Sequence, residues 1–124
     1  MFEVVVSSSF KARQGLKAPV RGENSLPDVA PSEGFSIIIR AGIEFKVSQL
    51  NKSGWFVDTD AVELQLKKLA DYLSSDTWTN LFDFRPTFER VAELSYQKIA
   101  SEIPQLSYVE LDNVTLGVKT RYTK

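Results

Sequence analysis

The chain has 124 residues, is 43% hydrophobic, and carries 15 basic side chains against 16 acidic ones. That length makes one domain, and that hydrophobic content with a net charge of −1 describes a chain that folds rather than a disordered one. So balanced a charge leaves no electrostatic footprint for nucleic acid or an anionic membrane, and neither is expected as a partner.

Two absences restrict the chemistry further: there is no cysteine and no histidine. Without thiols there is no disulfide, no thiolate zinc site and no cysteine nucleophile. Without imidazole the chain lacks the commonest metal ligand and the commonest general base near neutral pH. A metal would have to be held by carboxylates alone, which suits Mg²⁺ or Ca²⁺. Glu23, Asp28 and Glu33 are the acidic residues placed for such a site, and a solvated acidic loop is the plainer reading of them. Met1 to Val4 has neither the charged nor the apolar region of a signal peptide. No apolar run approaches the roughly 20 residues that span a bilayer. A cytoplasmic protein is the expectation.

Phe2 to Phe10 reads as a strand, with Phe2, Val4 and Val6 on one face and Val5 on the other. Lys11 to Gly34 is broken by Pro19, Gly22, Pro27 and Pro31 and predicts a long loop, either a surface loop or a pocket wall. Phe35 to Ser48 predicts the second strand, with Gly42 at a bulge or bend and Ile43, Phe45 and Val47 on its buried face. Asn51 to Gly54 is a turn. A helix begins near Asp58, with Asp60 and Glu63 at capping-box spacing and Val62, Leu66, Leu69 and Leu73 as its buried stripe.

The linker Ser74 to Arg85 holds Trp78, Leu81, Phe82 and Phe84, too apolar for a free loop. These side chains are expected to cover helix ends or an intersubunit surface. Thr87 predicts the cap of a second helix, with Glu89 favourably placed in its first turn. Phe88, Ala92, Ile99 and Ile103, widened by Val91 and Leu94, form its stripe, and Pro104 ends it. Leu106 to Asp112 and Val114 to Tyr122 read as strands about an Asp112-Asn113 turn. The order β-β-α-α-β-β predicts an α+β fold, a four-stranded antiparallel sheet with two helices on one face.

Four short segments carry a resemblance. They are Phe10-Lys11-Ala12-Arg13-Gln14, Gly54-Trp55-Phe56-Val57-Asp58, Pro86-Thr87-Phe88-Glu89 and Ile103-Pro104-Gln105-Leu106-Ser107. In this order and at these separations the chain resembles the 6-pyruvoyl-tetrahydropterin synthase and 6-carboxy-tetrahydropterin synthase family, of the T-fold. The resemblance implies a domain whose sheets join side by side into an oligomeric barrel, a homo-trimer or hexamer. It also implies a zinc-dependent pterin synthase with three histidine ligands. Those positions fall on Gln14, Glu33 and Phe35, and the family's Asp-His pair falls on Ser74-Ser75. The carboxylate that anchors the pterin ring falls on Asn113, with Glu110 and Asp112 nearby, while Thr87 and Glu89 match on the pocket side.

The expectation is therefore a family member without the zinc and catalytic residues, with no cofactor and a binding or assembly role. The alternative is a metal-independent enzyme or binder acting on a pterin or purine-like ring in an intersubunit pocket. Thr87, Glu89 and Asn113 are its candidate ligand-binding residues, although Thr87 and Glu89 are equally explained as a helix cap and its dipole partner. A third possibility is a metal site borrowed from a partner chain.

Overall fold

Strict alternation of apolar residues builds the sheet, and two helices with one apolar stripe each cover it. The computed structural model describes residues 1–26 and 33–124. Its elements are β1 (Phe2–Ala12), α1 (Pro19–Glu23), β2 (Phe35–Phe45), a 3-10 turn (Val47–Gln49) and α2 (Thr59–Ser74). They continue with α3 (Trp78–Leu81), α4 (Phe88–Glu102), β3 (Tyr108–Asn113) and β4 (Val118–Thr123). The four strands form one antiparallel sheet in the order β1-β2-β3-β4. This is the expected α+β architecture.

Register decides what each face carries. Pairings run from Phe2 opposite Phe45 to Ala12 opposite Phe35, and from Ile37 opposite Asn113 to Gly42 opposite Tyr108. A period of two then sends Ile37, Ile39, Ala41, Ile43 and Phe45 to the same face as Val109 and Leu111, and all of them are buried. Helix α2 lies over β1 and β2, and α4 over β3 and β4. Val62, Leu66, Leu69 and Leu73 of α2 are buried, as the helical spacing predicts. Among the described residues, no helix is long and apolar enough to cross a membrane.

Several local expectations are corrected. Gly42 makes no bulge, because the ladder to β1 runs through it without a break and it forms the last pair of the ladder to β3. Its role is steric: a Cβ there would lie 2.1 Å from the Tyr108 ring, which crosses the backbone at this point. The second strand stops at Phe45, and Val47 is exposed in the 3-10 turn. The cap of α2 is Asp58, not Asp60, since its Oδ1 accepts from the N–H groups of Asp60 and Ala61. Ser95 and Tyr96, rather than Leu94, widen the buried side of α4, and the Ser95 hydroxyl is satisfied by the Val91 carbonyl at 2.6 Å.

The loop after the first strand begins later than expected, for β1 continues to Ala12, and Pro19–Glu23 within it is helical. The last turn lies after Asn113 rather than at Asp112-Asn113. The Leu116 N–H donates to Asn113 Oδ1 at 3.1 Å and the Gly117 N–H to the Asn113 carbonyl at 2.8 Å. Gly117 completes the turn at φ +71°, a left-handed conformation that glycine adopts without steric cost. Val114 and Leu116 therefore sit in the turn, and Val118, Thr120 and Tyr122 take the helix-facing side of β4.

Candidate functional site

The segment after β1, the start of β2 and the linker between α2 and α4 converge at one end of the sheet. The Trp78 N–H donates to the Arg13 carbonyl at 2.8 Å, and Gln14 Nε2 donates to the Pro86 carbonyl at 3.0 Å. Gly15, at φ +81°, passes so close to Thr79 and Thr77 that a Cβ would collide with them. The three positions at which the resemblance implies zinc ligands, Gln14, Glu33 and Phe35, lie at or beside this end. The Gln14 amide is held through its nitrogen by the Pro86 carbonyl. Phe35 is buried, with its ring 5.9 Å from Phe88, which in turn stands 5.2 Å from Trp78. Glu33 is exposed.

Trp78 anchors this aromatic cluster. It is fully buried, and its indole N–H donates to the Leu73 carbonyl at the end of α2 at 2.9 Å. The apolar linker thus covers a helix end, as expected, with Phe82 and Phe84 stacked on each other beyond it at 4.8 Å. Ser74 and Ser75 turn back on their own helix, donating to the carbonyls of Ala70 and Tyr72. Neither hydroxyl has a base beside it that would activate it.

These residues do not fit a zinc ion. One candidate ligand is a phenylalanine, one a neutral amide, a weak zinc ligand, tied to Pro86 through its nitrogen, and one a solvated carboxylate. Among the described residues no three side chains of histidine, cysteine, aspartate or glutamate gather at a metal-holding distance. Glu23 and Glu33 form no such group, and Asp28 lies outside the described residues.

The candidate ring-binding residues are placed as follows. Thr87 caps α4, its Oγ1 accepting from the Arg90 N–H at 3.2 Å. Glu89 is exposed in the first turn and bonds to no described residue. Asn113 is 1% exposed, and its Nδ2 has no acceptor among the described residues. An amide donor buried without a partner costs about 1–3 kcal/mol and calls for an explanation. Asn113 faces the helices, whereas Glu110 and Asp112, three and one residues before it in the strand's alternation, face the open side of the sheet.

That open side holds the most organised polar group of the chain. Arg40 Nη1 donates to Glu110 Oε2 and to Asp112 Oδ2, both at 2.9 Å, and Arg121 reaches Glu110 Oε1 at 3.2 Å. Although no helix of the described residues covers this face, Glu110 and Asp112 are only 7% and 8% exposed. The hydrogen bond to Asp112, with that to Glu110, holds the Arg40 guanidinium above its ordinary pKa against the opposing effect of burial. Beside it Arg121 lies 3.9 Å over the Tyr108 ring, and the Tyr108 hydroxyl donates to Glu3 at 3.3 Å. Burial first, then the Glu3 charge, pushes the Tyr108 pKa up. Arg40 and Arg121 were not legible as site residues, but a signal existed. An arginine between Ile39 and Ala41, on the parity of Ser36 and Ile38, is a charge set into an apolar strand.

Comparison with known proteins agrees with the architecture. The model of the 6-pyruvoyl tetrahydropterin synthase family matches residues 36–121. Among solved structures, the 6-pyruvoyl tetrahydropterin synthase of Caenorhabditis elegans superposes with a TM-score of 0.66 at 16% identity, over 99% of this chain and 94% of that one. At that identity the likeness concerns the fold. No curated protein matches the sequence.

Proposed function

The chain belongs to the 6-pyruvoyl tetrahydropterin synthase family, and we propose that it serves there as a binding or assembly protein rather than as a zinc-dependent synthase. The observation that carries this reading is Phe35. The resemblance sets Phe35 at a zinc-ligand position, and its ring packs on Phe88, which packs in turn on Trp78; this supports a reading in which packing takes the place of coordination there. Synthase chemistry needs a Lewis acid to polarise the substrate and a base to move protons. Gln14, Phe35, Ser74 and Ser75 supply neither.

The T-fold implies side-by-side assembly, and both sheet edges, β1 and β4, are free to take a neighbouring strand in the isolated chain. A homo-trimer or hexamer is the proposed state. Size-exclusion with light scattering tests it, and a strict monomer at all concentrations contradicts it.

A second reading, a metal-independent site for a pterin or purine-like ring, is favoured by the buried Asn113 Nδ2 and by the unengaged Glu89 carboxylate. A ring with adjacent donors and acceptors would pair with both groups. Thermal-shift measurements with pterins and purines test this reading. A stabilisation that Glu89→Ala and Asn113→Ala both abolish supports it, and no shift with any of them leaves the assembly role as the function.

A further inference from the structure

Phe2 pairs with Phe45 at the end of the sheet opposite Ala12 and Phe35. Eleven strand residues separate the two ends by about 33 Å. At this far end a groove of about 560 Å³ opens between β1, the end of β2 and the start of α2. Small-molecule sites commonly span about 300–1,000 Å³. None of its lining residues belongs to the family positions at the other end.

Its walls are aromatic. The Phe45 ring lies 5.4 Å from Phe2 and 5.0 Å from Phe56, tilted by 34° and 32°, so the three form a row of tilted rings in contact. Trp55 follows Gly54, whose φ of +88° turns the chain at the groove, and Trp55 and Phe2 are left 50% and 46% exposed. Among the described residues, Asp58 is the only charged one in the lining, and no basic residue lines it. Asp58 Oδ1 takes the N–H groups of Asp60 and Ala61, which offsets the positive end of α2. Its Oδ2 has no hydrogen-bond or ion-pair partner among the described residues.

We infer that this groove binds a small planar aromatic molecule carrying a positive charge. The ring system stacks on the Phe2-Phe45-Phe56 row and against Trp55, whose π-face also attracts the cation. The charge meets Asp58 Oδ2 at the rim. An anionic ring would meet that carboxylate and no compensating base.

The test is fluorescence titration of the full chain with a cationic acridine, beside an anionic naphthalene sulfonate of similar size. Trp78 is buried and Trp55 half exposed, so Trp55 is the tryptophan that reports on the groove. The expected result is saturable one-to-one binding of the cation, weakened about tenfold by Trp55→Ala. Asp58→Asn keeps a capping side chain and should weaken the cation about three- to fivefold while leaving the anion unchanged or improved. Equal or tighter binding of the anion, binding insensitive to Trp55→Ala, or no saturable binding would overturn the inference. So would Trp55 emission that tracks chain concentration while no dye binds, since a second copy would then be the occupant.

Discussion

Gly42→Ala isolates a single contact. The added Cβ would stand 2.1 Å from Cε1 and Cζ of Tyr108, whereas carbon atoms rest at about 3.5–4.0 Å. The ring must withdraw by more than 1 Å, roughly the difference between those distances. It cannot do so without loosening Arg121, 3.9 Å over its face, and Glu3, 3.3 Å from its hydroxyl. Overpacking of this kind costs about 1–3 kcal/mol. Replacing a strand glycine by alanine otherwise favours the folded state by about 0.5–1 kcal/mol through backbone entropy. The net is a loss of about 0–2.5 kcal/mol. In a Tyr108→Ala background the obstacle is gone, and the same Gly42→Ala change should become stabilising by about 0.5–1 kcal/mol. Urea denaturation of the four proteins, at one chain concentration because assembly shifts apparent stability, measures both steps. An equal cost of Gly42→Ala in the two backgrounds would refute the steric reading of Gly42.

Other outcomes follow from the same contacts. Trp78→Ala should cost about 3–5 kcal/mol in the same assay, since it empties the centre of the aromatic cluster and leaves the Leu73 carbonyl unpaired. Arg40→Ala should cost about 1–3 kcal/mol, because Glu110 and Asp112 lose their shared cation while remaining largely buried. Tyr108 should ionise above the ordinary tyrosine range in a spectrophotometric titration, and Tyr108→Phe should remove that late component. Its proton is held more tightly in the folded state, so its contribution to stability is complete below the ordinary tyrosine pKa and lost as pH rises through the folded value. The Asp76 carboxyl, accepting from the Asn80 amide and then the Thr77 N–H, should titrate below the ordinary aspartate range by NMR. Its contribution is present above the ordinary value and lost as pH falls through the folded one.

The parts of the fold that rest on periodicity were legible in the sequence. Ile37, Ile39, Ile43 and Phe45 alternate because one side of β2 is covered, and Val62 to Leu73 repeat at helical spacing because one stripe of α2 is. Places governed by a contact between distant residues were not. Gly42 in a strand suggests a bulge until Tyr108, 66 positions later, is seen crossing it. Asp112-Asn113 looks like a turn, yet the turn starts after Asn113 because its side chain closes the following residues. That the chain has no histidine or cysteine to offer a zinc ion could be read from residue types alone. That Phe35 completes an aromatic cluster with Phe88 and Trp78 could not, since the three come from separate elements. The Arg40 network was hidden for the same reason: its acids lie 70 and 72 residues away.

The central claim is that this chain keeps the family's scaffold while packing occupies its zinc site. Zinc titration of the metal-stripped full chain at neutral pH, with metal content measured after gel filtration, tests it most directly. The prediction is no stoichiometric zinc retained, and no change in zinc content when Gln14 or Glu33 is replaced by alanine. One tightly held zinc per chain, released by either substitution, would contradict it.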